Sequence, residues 1–177
     1  MRGGPAILTG MEQVRRLVLI RHAKAAEGNV DRERPLAKRG MNEAPEIGRW
    51  LAERQLVPDR VVVSPALRAR QTWERASTGL DGAVDAVQDE RVYDNSRQAL
   101  LAVVRDTPET VRTLAIVGHN PGMQEFAISF DDGTGDEAAR EEVTGKYPTG
   151  GLAVFTVDGP WSGATAGTLT AFAAPRP

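Results

Sequence analysis

Leu17-Val-Leu-Ile-Arg21-His22 is a short, wholly apolar run that ends abruptly in an arginine and a histidine. Such a run suits a strand covered on both faces, the habit of parallel sheets in α/β proteins. Three more segments share its character: Arg60-Val-Val-Val63, Thr113-Leu-Ala-Ile-Val117 and Leu152-Ala-Val-Phe-Thr-Val157. A fifth, Thr168-Leu-Thr-Ala-Phe172, lies close to the C-terminus. Helical patterns fill the gaps. Over Asn42–Gln55, Ala44, Ile47, Leu51 and Ala52 share a face, and the reading places Pro45 in the first turn, where its missing N–H costs nothing. Ser64-Pro65 predicts a helix start with serine as the cap and proline at the first position, followed by an apolar stripe of Ala66, Ala69, Trp73 and Ala76. Ser96–Arg105 and Gly122–Phe130 predict two further helices. This alternation implies a layered α/β domain with crossover helices.

Outside those elements, residues 131–150 are polar, acidic and glycine-rich, and read as a surface excursion. No internal repeat or linker divides the chain, so residues 15–177 are expected to form one domain. Residues 1–14 read as a flexible extension, with Met11 as an alternative start. Of the 177 residues, 41% are hydrophobic and 26% charged, as in an ordinary soluble protein. The net charge of −2 supplies no field to hold nucleic acid or an anionic membrane. With no cysteine, disulfides and thiolate chemistry are excluded. No apolar run approaches the roughly 20 residues of a membrane span, and the N-terminus is a poor signal peptide, so a cytoplasmic location is expected.

Chemistry concentrates at two strand exits. The chain has two histidines, His22 after the first strand and His119 in Val117-Gly-His-Asn-Pro-Gly122 after another. Ligands of open α/β sheets bind at the carboxyl ends of strands, where residues distant in sequence converge. A single histidine at a strand end is more often structural than catalytic, but two such placements favour a shared site. Two imidazoles fall short of a zinc ligand set, so no metal is expected. Gly145-Lys146 resembles the end of a phosphate-binding loop, but Tyr147 follows and no strand precedes it, and it is rejected. Arg21 precedes His22 directly, and Arg68 falls in the first turn of the Ser64-Pro65 helix. Guanidinium forks suit phosphate oxygens, and a neutral imidazole can attack phosphorus while cations hold the equatorial oxygens. The arginines are expected to lower the pKa of His22 and keep it nucleophilic. Arg70 and Arg75 read as solvated surface charges.

In this arrangement the chain resembles the histidine phosphatase superfamily, whose mark is Arg-His-Gly after the first strand. Here it is Arg21-His22-Ala23, so the third position departs and the shape of that turn is open. Within the superfamily it is similar to the SixA-type phosphohistidine phosphatases. The matching text is Arg21-His-Ala-Lys24, Asp31-x-x-Arg34-Pro-Leu-x-x-Arg39-Gly40, Ser64-Pro-x-x-Arg68-Ala-x-Gln71-Thr72, Val117-Gly-His119-Asn-Pro-Gly122 and Lys146-Tyr-Pro-Thr149-Gly. The resemblance implies a phosphoglycerate mutase-like, three-layer α/β/α sandwich with a mostly parallel central sheet, and neither metal nor organic cofactor. It implies His22 as the phosphorylated nucleophile, with Arg21, Arg68 and His119 forming the phosphate pocket. Lys24 and Asn120 are candidate substrate-binding residues, and Glu90 is the candidate general acid. The expected substrate is a phosphorylated protein of the histidine phosphotransfer type. The alternatives are a phosphatase for a small phosphoester or phosphoanhydride, a phosphate-binding module without turnover, and a mutase, which needs a proton donor and room that the chain does not advertise.

Overall fold

The computed structural model describes residues 14–177. The expected N-terminal extension, residues 1–14, lies outside the described residues except for Val14, as does the alternative start at Met11. Strand β1 runs Arg15–Arg21, helix α1 Lys38–Glu53, β2 Arg60–Val63, α2 Leu67–Ser77, β3 Ala86–Gln88, α3 Glu90–Asp94 and α4 Arg97–Arg105. They are followed by β4 Thr113–Gly118, α5 Gly122–Phe130, α6 Glu137–Gly145, β5 Leu152–Val157 and β6 Thr168–Ala173. Short 3₁₀ turns lie at Asp31–Glu33 and Trp161–Gly163.

The strands form one sheet in the order β3-β2-β4-β1-β5-β6. Pairings β3–β2, β2–β4 and β4–β1 are parallel, while β1–β5 and β5–β6 are antiparallel. Alternation along each strand sorts side chains between two cores. Leu17 and Leu19 face a core with Leu100, Phe126 and Phe130, while Val18 and Ile20 face another with Ile47, Leu51 and Trp73. The central strands are therefore covered on both faces, α1 and α2 on one side and α4, α5 and α6 on the other. This is the α/β/α sandwich expected, and both covers explain why the strands carry continuous apolar runs.

Four readings change. Helix α1 begins at Lys38, four residues early, so Pro45 lies in its interior instead of its first turn, and Ala52 is exposed. Within that earlier first turn, a Cβ at Gly40 would lie 2.1 Å from the Lys24 carbonyl oxygen. Glycine permits the helix to press against that loop. Helix α2 starts at Leu67 with Ala66 as its cap. The proline disfavours helical backbone at Ser64, which stays in the turn after β2. The 131–150 segment is not a mere excursion: α6 is capped by Asp136, buries Ala139 and Val143, and leads into the fully buried Tyr147. Strand β3 and helix α3 had no clear sequence signal, being three and five residues long.

Candidate active site

Parallel pairing of β1 with β4 sets Arg21 opposite Gly118, so both strands end level. The next residue on each chain is a histidine. His22 N–H donates to the Gly118 carbonyl at 3.0 Å, and the two imidazole centroids stand 5.2 Å apart. That is about the spacing of adjacent strands, so sheet register alone closes a gap of 97 positions. Both rings are more than nine-tenths buried. They line one cavity of about 330 Å³ with Arg21 and Arg68.

The hydrogen bonds set the tautomers. His22 Nδ1 lies 2.7 Å from the Ala23 carbonyl. A carbonyl only accepts, so Nδ1 carries the proton and Nε2 keeps its lone pair. Burial is the main cause that drives the His22 pKa down to about 3, with His119, Arg68 and Arg21 adding to it. The expected direction is present, but desolvation outranks the arginines. His119, lowered to about 4 chiefly by burial, is also neutral at pH 7. Its Nε2 is 2.7 Å from Ser64 Oγ, and its buried Nδ1 has no partner among the described residues.

Arg21 is half-buried, donates to the Tyr147 carbonyl at 2.9 Å, and retains a buried Nε–H without a partner among the described residues. Arg68 donates to the Asp31 carbonyl at 2.7 Å and to its carboxylate at 3.0 Å. Tyr93 Oη donates to the same carboxylate at 2.7 Å, and its ring meets the edge of His119. These contacts, the Tyr93 hydroxyl first, hold the Asp31 carboxyl down at about 2. The Ala23 turn is held by Thr72, whose hydroxyl accepts the Ala23 N–H at 3.0 Å and donates to the Arg68 carbonyl.

Lys24 and Asn120 also line the cavity. The Asn120 amide is committed to the protein, donating to the Tyr147 carbonyl and accepting from Gln124 N–H. Glu90 is not brought in. It starts α3 on the surface, where Arg32 grips both carboxylate oxygens at 2.8 and 2.7 Å and lowers its pKa. Asp31, Arg34 and Thr149 line the cavity without having been singled out. All three lie inside the quoted motifs, but nothing local says which motif residue faces inward. Ser64 and Tyr93 are likewise recognisable only once β2, α3 and β4 stand side by side.

Residues 17–100 match the family model of the histidine phosphatase superfamily (branch 1). An uncharacterized protein of Mycobacterium tuberculosis is 38% identical over 162 residues, covering 89% of this chain and 100% of the relative. Among solved structures, a protein assigned as a SixA phosphohistidine phosphatase from Agrobacterium tumefaciens is 30% identical, with a TM-score of 0.76 over 91% of this chain and 98% of that one. Another so assigned, from Nakamurella multipartitia, is 26% identical with a TM-score of 0.81, covering 92% and 96%. A strand-end pair of neutral imidazoles flanked by guanidinium groups, on this sheet and in this order, agrees with those relationships: the chain belongs to the histidine phosphatase superfamily and is of the SixA type.

Proposed function

We propose that this phosphatase removes the phosphoryl group from phosphohistidine on a phosphotransfer protein. In this reading the substrate's phosphohistidine ring takes a solvent proton on its other nitrogen, His22 Nε2 attacks phosphorus, and the P–N bond breaks with its electron pair on the leaving nitrogen, so that the ring departs as neutral imidazole. Arg21, Arg68 and the Nδ1–H of His119 hold the equatorial oxygens as charge redistributes. Ser64 Oγ accepts from Ala66 N–H, and in this reading its own proton goes to His119 Nε2, so His119 carries its proton on Nδ1, the nitrogen without a partner among the described residues. Water then attacks the phosphoryl group on His22, the P–Nε2 bond breaks, and the water proton leaves to solvent or phosphate.

The observation that carries the choice of substrate is the acid inventory. Among the described residues the one carboxyl lining the cavity, Asp31, is held at about 2 and is ionised at neutral pH. An alkoxide leaves poorly without a proton donor, whereas imidazole, with a pKa near ~6.5, leaves readily. Incubating the chain with a phosphohistidine-bearing phosphotransfer protein and with simple phosphomonoesters tests this. The phosphohistidine substrate should be preferred by at least about 10² in kcat/KM, a proton donor's typical worth. An acid-labile, base-stable phosphoryl group should be trapped on His22 and be absent from His22→Ala. Equal or faster ester turnover would overturn the substrate assignment.

A further inference from the structure

The cavity carries more positive charge than one phosphoryl group requires. Arg21, Lys24, Arg34 and Arg68 line it against the single carboxylate of Asp31. With both imidazoles neutral, the lining has a threefold positive excess, and a phosphoryl group of about two negative charges leaves one uncompensated. Two of the cations are deep, and Arg68 is already tied to Asp31. The surplus lies on the outer wall. Among the described residues, the Lys24 ammonium makes no hydrogen bond or ion pair. Arg34 spends Nε on the Ala26 carbonyl at 2.9 Å and one terminal nitrogen on Asp31 at 3.3 Å, leaving NH2 without a partner.

Nor is Lys24 a casual surface lysine. Its carbonyl accepts from Ala37 N–H at 2.9 Å, and its backbone is pinned beneath Gly40, where any Cβ would collide with it. The neighbouring Ala25 bridges to Leu36, and Ala26 N–H donates to the Pro35 carbonyl at 2.8 Å. This short ladder carries Lys24 on one side and leads back to Arg34 on the other, so both cations start from rigid backbone at the cavity mouth. We propose that Lys24 and Arg34 form a second anion subsite, which recognises a carboxylate carried by the phosphoryl donor next to its scissile group. One such charge balances the cavity. The subsite rests on reading the inner pocket as a phosphoryl site, and it makes Lys24 a specificity residue.

The test is equilibrium binding, which needs no turnover. Methylphosphonate, phosphonoacetate and 3-phosphonopropionate are titrated by calorimetry into the full chain and into Lys24→Met and Lys24→Arg. One of the two carboxylated phosphonates should bind about tenfold tighter than methylphosphonate, the scale of one good charge-assisted contact. That ratio should fall below about twofold in Lys24→Met and return in Lys24→Arg. As a ratio within one preparation, it is independent of the fraction folded. A parallel arm compares phosphohistidine peptides flanked by aspartate or by asparagine. Discrimination among the phosphonates alone assigns the carboxylate to a small donor, and discrimination among the peptides alone assigns it to a protein donor. Discrimination in neither arm, or a ratio unchanged in Lys24→Met, overturns the subsite. Failure of the phosphatase reading would show separately, as no phosphoryl group trapped on His22.

Discussion

Two arginine–carboxylate pairs begin on adjacent residues of one 3₁₀ turn and face different worlds. Asp31 reaches inward to Arg68, whose side chain is 8% exposed, while Arg32 reaches outward to Glu90, itself 70% exposed. Both have short contacts, and Arg32 adds a stacking position 4.0 Å over the Tyr93 ring. Geometry alone does not rank them. Exposed pairs are screened and weak, whereas a buried guanidinium has exchanged its water for fixed partners, and its position is then set by them. The inner pair thus fixes a guanidinium that lines the cavity, while the outer pair stays on the surface.

The largest effects should come from the floor itself. His22→Ala should lower kcat/KM by at least about 10³, since the proposed mechanism places the phosphoryl group on its Nε2. Arg68→Ala should cost about 10²–10³, the usual worth of one preorganised electrostatic donor. Steady-state kinetics on phosphohistidine substrates measure both. Next comes the inner pair's own link. Asp31→Ala removes the carboxylate half of the two-point anchor of Arg68, leaving the backbone carbonyl, and should cost about tenfold, the scale of a charge-assisted contact. The loss should appear mainly in KM, and Asp31→Asn should recover part of it. A loss equal to that of Arg68→Ala would mean that Asp31 does more than position.

The buried floor should also announce itself in stability against pH. His22 and His119 have folded pKa values lowered to about 3 and about 4 from 6.5, so the unfolded chain binds more protons between those limits. Stability is therefore full above about pH 6.5 and declines as pH falls toward 4.5, before the carboxylates titrate. Thermal melts across that window should be flatter for a His22→Gln/His119→Gln double variant. The smallest effect belongs to the outer pair. Arg32→Ala and Glu90→Gln should each change kcat/KM on phosphohistidine by less than about threefold, because the exposed pair touches no reacting atom. A loss of tenfold or more in Glu90→Gln would break the contrast and restore Glu90 as a proton donor.

Much of this was legible in the chain because the relevant signals are local. A strand covered on both faces must be apolar throughout, and the residues that end such a strand sit at the sheet's edge, so Arg21, His22 and His119 stand out without coordinates. Motif spacing adds Arg68 by placing it in a helix's first turn, wherever that helix starts. What tertiary structure alone decided is how polar groups are shared. Ser64 keeps a local contact, accepting from Ala66 N–H, but its hydroxyl also meets His119, 55 residues on, which no local rule foretells. Glu90 reads as an available acid in the sequence, yet it lies outside the cavity lining and Arg32, 58 residues back, holds it. Ala139 and Val143 of helix α6, and Tyr147 after it, lie in a polar stretch and are buried against the core beneath them. Apolar burial repeats along a segment and can be read from it, whereas a hydrogen bond needs one partner at one distance, which only the folded neighbourhood supplies.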